Sequence, residues 1–353
     1  MPILEKQPVS RGSYLPRPKL TTHQAAWLQN LADEGQIDVT VCIANWNCQE
    51  YLWECLTSLQ DIPQGVRLET IVVDNASTDG SAAMVAEDFP EVILIRNNKN
   101  VGFAKASNQA ARKARGQYLF FLNNDTEVPA YTLARMVDYA RRHPEVGILG
   151  PRLLDKAGKP QISYRDCPTV GAMLHMISFL RWTGLIKKHY QNYRRRSFTP
   201  LCEKRVTILL GAAILIPRNL FEAVGHWDEK FTFGVEDVEL STRISKTHEL
   251  VYLPDVEIIH HGRLSSRENI VFSAPNLLIG YILFFRMQGT PRILILVYKI
   301  AVTLDIPFQL VAKSFQYLLR LVRGQKEKAR KSRLAVKGMW RFATRDLFRF
   351  WRS

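Results

Sequence analysis

Four short apolar runs, each closed by Asn or Asp, constrain this chain most. Asp38–Ala44 stops at Asn45, Leu68–Val73 stops at Asp74, Val92–Ile95 is followed by Asn97, and Tyr118–Leu122 stops at Asn123. Between them lie segments with helical apolar spacing, such as Leu52, Cys55, Leu56 and Leu59 within 49–60, and a second and third helix to about Phe89 and over 103–115. This βαβαβαβ pattern with short connections predicts a mostly parallel sheet with right-handed crossovers and flanking helices. The polar strand ends then fall along one edge of the sheet, where open α/β sheets bind ligands.

The stretch 118–127 (YLFFLNNDTE) is the sharpest case. A strand-like run ends in Asn123, Asn124 and Asp125, and a carboxylate there is a hard oxygen ligand for a divalent cation that holds phosphates. Asp125 or Thr126 is equally suited to cap the helix expected near 129–142. No GxGxxG follows the first strand and no GxxxxGK[ST] occurs, which speaks against dinucleotide and P-loop sites.

Further along, 146–153 and 208–216 are predicted as strands, with Pro217-Arg218 opening a helix. Residues 160–205 are irregular and carry basic residues at Lys187, Lys188 and 194–196, an insertion beside an acceptor or a solvated loop. Glu236 and Asp237 open a helix, where the macrodipole alone favours acids. Two strand-like segments around Val251 and at 256–259 lead to His260 and His261.

At 353 residues with 46% hydrophobic and 23% charged residues, the chain holds one large or two smaller globular domains. Its net charge is +15, of which residues 313–353 carry +11 and the first 312 residues +4. The basic character is therefore a property of the tail and calls for an anionic partner surface. Five cysteines without a CxxC pair read as reduced thiols of a cytosolic chain. Residues 1–36 form an arm with a short helix after Thr22, and lack a signal-peptide pattern.

Taken together, the ordered stretches 41–47 (VCIANWN), 73–81 (VDNASTDGS), 100–104 (NVGFA) with Asn108, 122–125 (LNND), Gly211 through Arg218, 227–229 (WDE), Glu236-Asp237 and His260 resemble family 2 glycosyltransferases of the GT-A fold. The similarity is to the bacterial rhamnosyltransferase-like branch and covers about 37–266. It implies an inverting, metal-dependent hexosyltransferase that uses a nucleotide-diphosphate sugar, deoxythymidine-diphosphate rhamnose first and uridine-diphosphate sugars next. The implied acceptor is a lipid-linked or cell-surface glycan. Ala44, Asn45, Asn47, Asp74, Asn75, Gly102, Asn108, Asn123 and Asn124 would hold the nucleotide-sugar. Asp125 and His260 would hold Mg2+ or Mn2+, with Glu127 and His261 as second choices. Asp237, with Glu236 beside it, matches the catalytic base. The alternative within the same fold is a non-catalytic nucleotide-sugar-binding or scaffold protein. Departures are Asn123 in place of a first motif Asp, Ile208 in place of Trp, Trp227 in place of Phe, and Arg263 in place of a second Gly.

The tail, 267–353, is expected to be helical. Its apolar runs 277–285 and 293–304 fall short of a spanning helix. Near the end, Val336, Trp340, Ala343, Leu347 and Phe350 share one helical face beside a stripe of Arg333, Lys337, Arg341, Arg345 and Arg349. This suits a helix lying in an anionic membrane interface, on the cytoplasmic face of the inner membrane. Packing on the catalytic domain is the plain alternative, and nucleic acid is not expected as a partner.

Overall fold

The computed structural model describes residues 37–62, 65–184, 187–193, 201–262 and 270–353. The expected N-terminal arm, the basic triplet 194–196 and Arg263 lie outside these residues.

The first four strands are β1 (Val39–Asn45), β2 (Leu68–Asp74), β3 (Ile93–Arg96) and β4 (Tyr118–Asn123). They run parallel in the order β3-β2-β1-β4, linked by α1 (Gln49–Gln60), α2 (Ser81–Asp88) and α3 (Phe103–Lys113). Their side chains alternate between two cores. Val41, Ile43, Val72, Phe120 and Leu122 face one layer, with Leu52 and Leu56 of α1. Cys42, Ile71, Val73, Leu119 and Phe121 face the other, with the alanines of α3. Burial on both faces is why these strands read as nearly unbroken apolar runs.

The sheet continues through β5 (Thr126–Glu127), then α4 (Thr132–Arg142) and β6 (Val146–Leu154). Residues 160–205 hold β7 (Tyr164–Arg165), α5 (Val170–Leu174), α6 (Ser178–Thr183), α7 (Lys187–Gln191) and β8 (Lys204–Arg205). Then come β9 (Ile208–Leu209), β10 (Ala213–Pro217), α8 (Arg218–Ala223), α9 (Glu236–Ile244) and β11 (Glu249–His260). The full order is β3-β2-β1-β4-β10-β6-β11-β5, with β8 on β11. Only β10 interrupts the parallel centre, antiparallel to both neighbours.

Two strand expectations need correction. Residues 208–216 form two strands: β9 leaves the main sheet to pair with β7, and β10 stays. The break falls at Gly211, whose backbone lies so close to Asp237 that an added Cβ would be 3.2 Å from the Asp237 Cβ. Conversely, the two segments expected around 251 and 256–259 are one strand, β11. Its register with β6 shifts between Leu253 and Glu257, where Pro254 has no N–H to give the ladder.

The C-terminal region is helical: α10 (Ile270–Met287), α11 (Arg292–Val322), α12 (Lys326–Arg341), a π-helical turn at Phe342–Asp346, and α13 (Leu347–Arg352). Helix α11 is long and apolar enough, by length and composition, to cross a membrane. The sequence reading ended this run at Leu304, with Lys299 interrupting it; the charged residues inside the helix at this point are Lys299 and Asp305. Both are buried toward the protein: Lys299 Nζ donates to the Trp351 carbonyl at 2.8 Å and Asp305 accepts the Ser178 N–H at 3.0 Å. The outer face of α11 therefore stays apolar. A third core joins α5 and α6 to this unit through Val170, Met173 and Ile177 against Ile282, Phe285 and Tyr298. The single face expected over 336–350 is divided. Phe350 is buried against Phe342 while Trp340 is 62% exposed, because the π turn takes up more residues per turn and rotates the helix face.

Candidate active site

The carboxyl edge of the sheet brings three strand ends together. In β1 and β2, Asn45 is level with Asp74, and Ala44 is level with Asn123 of β4. Asn45 is buried, and its Nδ2 donates to Asp74 Oδ1 at 3.1 Å, while Asn124 Nδ2 donates to Asn45 Oδ1 at 2.7 Å. Asp74 Oδ2 accepts the Ser77 N–H, three residues on, at 3.0 Å, and this local side-chain-to-backbone bond sets the carboxylate's orientation. Asn47, in the left-handed region at φ 49°, accepts the Thr78 N–H on its Oδ1 at 2.7 Å. Asn75 reaches the next loop: its Nδ2 donates to the Gly102 carbonyl at 3.3 Å and its Oδ1 accepts the Val101 N–H at 3.2 Å. Gly102 has φ 89°, and a Cβ there would lie 2.5 Å from the Thr232 carbonyl oxygen. Conformation and space both demand glycine.

Asn108 stands apart from this group. It is buried, and its amide clamps the Trp227 backbone from both sides at 3.0 and 3.1 Å and reaches Glu229 at 3.1 Å. Its polar atoms serve the 225–234 loop, not the cluster at Asp74.

Asp125 and His260 meet at the other end of the edge. Both are buried, with His260 Nε2 3.5 Å from Asp125 Oδ1 and 3.4 Å from Asn123 Nδ2. Gln161 fixes the imidazole. Its Nε2 donates to the His260 carbonyl at 2.6 Å, which leaves Oε1 to accept from His260 Nδ1 at 3.0 Å. A proton is thereby assigned to Nδ1, and Nε2 is the ring nitrogen on the side of Asp125 and Asn123. A carboxylate oxygen and an imidazole lone pair held this way suit a divalent cation. Glu127 and His261 form a separate group: His261 Nε2 lies 2.8 Å from Glu127 and 3.6 Å from Glu54 of α1. This contact holds the Glu127 carboxyl below its usual range.

Asp237 is held independently, in the first turn of α9. Its Oδ2 accepts the Gly211 N–H at 3.3 Å and its Oδ1 accepts the Val238 N–H at 2.9 Å, while Arg165 of β7 lies 3.5 Å from both oxygens. The guanidinium is buried against the Tyr193 ring at 5.5 Å; burial works against its charge, but Asp237, Tyr193, Tyr281 and Glu236 together outweigh it and keep it firmly protonated. Glu236 precedes it, and Val235, with φ 74°, places a β-branched residue in the left-handed region directly before the helix. Helix α10 closes on this turn: a Cβ on Gly280 would lie 3.0 Å from the Gly234 carbonyl. Neither Arg165 nor Gln161 was found from sequence. Both come from the irregular segment after β6, and no local pattern announces a partner 72 or 99 residues away.

An open, mostly parallel sheet with this polar carboxyl edge and one inserted antiparallel strand is the GT-A arrangement. The glycosyl transferase family 2 model matches residues 40–223, and the chain belongs to that family. A curated relative, the N-acetylglucosaminyl-diphospho-decaprenol L-rhamnosyltransferase of Mycobacterium tuberculosis, is 28% identical over 207 residues, 55% of this chain and 66% of that protein. The O-antigen biosynthesis protein RfbC of Myxococcus xanthus is 28% identical over 213 residues, 58% of this chain and 16% of that protein. The chain thus spans just under two thirds of the first relative and much less of the second. Among solved structures, GalNAc-T7, held with UDP, GalNAc and Mn2+, aligns with TM-score 0.51 at 20% identity, over 70% of this chain and 48% of that one, which shows the shared fold.

Proposed function

We propose that the chain transfers a sugar, rhamnose in the first instance, from a nucleotide-diphosphate sugar to a lipid-linked or cell-surface glycan, with inversion. The observation that carries this reading is the pair of separately built acidic groups, Asp125 with His260 and Asp237 with Arg165. Asp74 and Asn75, oriented by their loop hydrogen bonds, receive the base and ribose. Asn45, Asn123 and Asn124 line the path to the diphosphate. Asp125 Oδ1 and His260 Nε2 are the ligands for Mg2+ or Mn2+, with Asn123 offering an amide where many relatives have a carboxylate. Such a cation neutralises charge on the leaving diphosphate. Asp237 accepts the proton of the attacking acceptor hydroxyl, and Arg165 and the Gly211 N–H hold its carboxylate in place. The enzyme acts at the cytoplasmic face of the inner membrane, brought to an anionic surface by its basic C-terminal region.

The test is nucleotide-diphosphate release from a panel of nucleotide-sugars, with Mn2+, Mg2+ or EDTA. Metal-dependent release with one donor, lost in Asp125→Ala and in Asp237→Asn with donor binding kept in the latter, is the expected result. Release that survives EDTA and Asp125→Ala removes the metal role, and equal loss of donor binding in Asp237→Asn makes that residue structural.

A further inference from the structure

Helix α11 carries an apolar surface that nothing in the described protein covers. Ile293, Val297, Ile300, Leu304, Phe308, Val311, Phe315, Leu318 and Val322 follow one another at steps of three and four and are 42–88% exposed. They form one continuous stripe along a helix of 31 residues, about 46 Å long at 1.5 Å per residue. Isolated exposed apolar residues are ordinary, but a contiguous strip of this length marks an interaction surface. The opposite face is bound to the protein through Ile295, Tyr298, Val302 and Ile306. The one acid of α11, Asp305, is on that buried side.

The surroundings of the stripe select its occupant. Helices α12 and α13 run back alongside α11, as Arg320 Nη1 donating to Ser332 Oγ at 2.6 Å and Trp351 Nε1 donating to Thr303 Oγ1 at 3.2 Å show. They expose Lys326, Lys328, Arg330, Lys331, Arg333, Lys337, Arg341, Arg345 and Arg349. Their two acids are Glu327 and Asp346, the latter 3.4 Å from Arg341. Trp340 and Phe348 are 62% and 67% exposed. A second copy of the chain on this strip would bring two segments of net +11 together. An anionic lipid surface meets both features, acyl chains against the stripe and headgroups against the bases.

We propose that α11 lies in the plane of an anionic membrane, its 293–322 stripe among the acyl chains and α12–α13 at headgroup level. This deepens the membrane part of the function proposed above and moves the apolar contact from the terminal helix to α11. The binding site is a lipid interface read by shape and charge, and the helix does not span it, since its inner face is occupied by the protein.

The full chain would be floated with phosphatidylcholine vesicles and with vesicles containing 30% phosphatidylglycerol. Wild type is compared with Leu304→Gln/Val311→Gln/Phe315→Gln and with Lys337→Gln/Arg341→Gln/Arg345→Gln. The expected results are at least tenfold weaker binding to anionic vesicles for the stripe variant, and loss of anionic preference for the basic variant. Unchanged binding by the stripe variant overturns the proposal. So does resistance of wild type to alkaline extraction, which means a spanning helix, or a lipid-free dimer that the stripe variant dissolves. Among seven tryptophans, the Trp340 contribution is read as the difference between wild type and Trp340→Phe; its quenching by brominated lipid is expected, and its absence also counts against the orientation. Nucleotide release is measured on the same preparations. Vesicle binding without turnover on any donor refutes the transferase reading alone, and turnover without vesicle binding refutes the membrane surface alone.

Discussion

Replacing Gln161 with Leu keeps the side chain's bulk and removes both hydrogen bonds that orient His260. The amide's two bonds to His260, at 3.0 Å to Nδ1 and 2.6 Å to the carbonyl, leave behind one N–H and one C=O; its third, from Nε2 to the Leu154 carbonyl, is long at 3.4 Å. His260 is buried but Gln161 is only half-buried, so water reaches part of the gap and each orphaned group costs about 1 kcal/mol. The predicted loss of stability is about 2 kcal/mol by urea denaturation. The functional effect is separate. Without the Oε1 acceptor the imidazole is free to move its proton to Nε2, the nitrogen that faces Asp125, and Mn2+ affinity should fall about 10–100-fold. Electron paramagnetic resonance of free Mn2+, titrated with nucleotide diphosphate present, measures this. Gln161→Glu is the control: a carboxylate still accepts from Nδ1 but cannot donate to the carbonyl, so stability should drop with metal affinity nearly kept. A stability loss in Gln161→Leu with unchanged Mn2+ affinity would refute the reasoning and reduce Gln161 to a tether between loop and strand.

Gly102→Ala should destabilise the protein by about 2–4 kcal/mol, from the left-handed backbone and the contact with the Thr232 carbonyl, and should weaken nucleotide binding by calorimetry. Thiol labelling at pH 7 should modify only Cys167 and Cys202, the two exposed cysteines of five. Burial, with the Asp125 charge adding, pushes the Cys48 and Cys55 thiols up to about 12, and early labelling of either would contradict the packing of α1. Glu69 gives a pH prediction. Burial alone would raise its carboxyl, but the Arg115 N–H and guanidinium and the Thr40 hydroxyl outweigh it and hold it below the ordinary 4.5. Its contribution to stability is therefore present above about pH 4.5 and lost as pH falls through the lowered value. Stability measured between pH 7 and 3 should decline less steeply in Glu69→Gln than in wild type.

What could be read in the sequence was what repeats or ends locally. The apolar runs themselves, the Asn or Asp closing each run, and the spacing of Leu52, Cys55, Leu56 and Leu59 placed β1–β4 and their polar edge. The strands beyond β4 were harder because their decisive contacts are distant. The Gly211 break is set by Asp237, 26 residues later, and the split of 208–216 has no turn signature of its own. Asn108 shows the converse limit: a residue in a motif was expected at the ligand and proves to brace a loop 119 residues away. The run 293–304 was read as interrupted by Lys299 and too short to span, because composition does not say which way a helix turns its charges.

The contact of α10 with the turn before Asp237 sets a gauge. Gly280 lies against the Gly234 carbonyl with no room for a methyl group, and Trp46 and Phe233 both rest on Phe272 of the same helix at 5.7 and 6.2 Å. The helix cannot slide along its axis without disturbing loops on both sides of the donor cleft. On the membrane placement proposed for α11 and the base role proposed for Asp237, that carboxylate would stand at a fixed height above the lipid. A lipid-linked acceptor of the kind proposed would then be measured by its distance from its anchor: a glycan too short would fail to reach Asp237, and one too long would overshoot it. Chain length of the acceptor, as well as its chemistry, becomes a property that this fold can select.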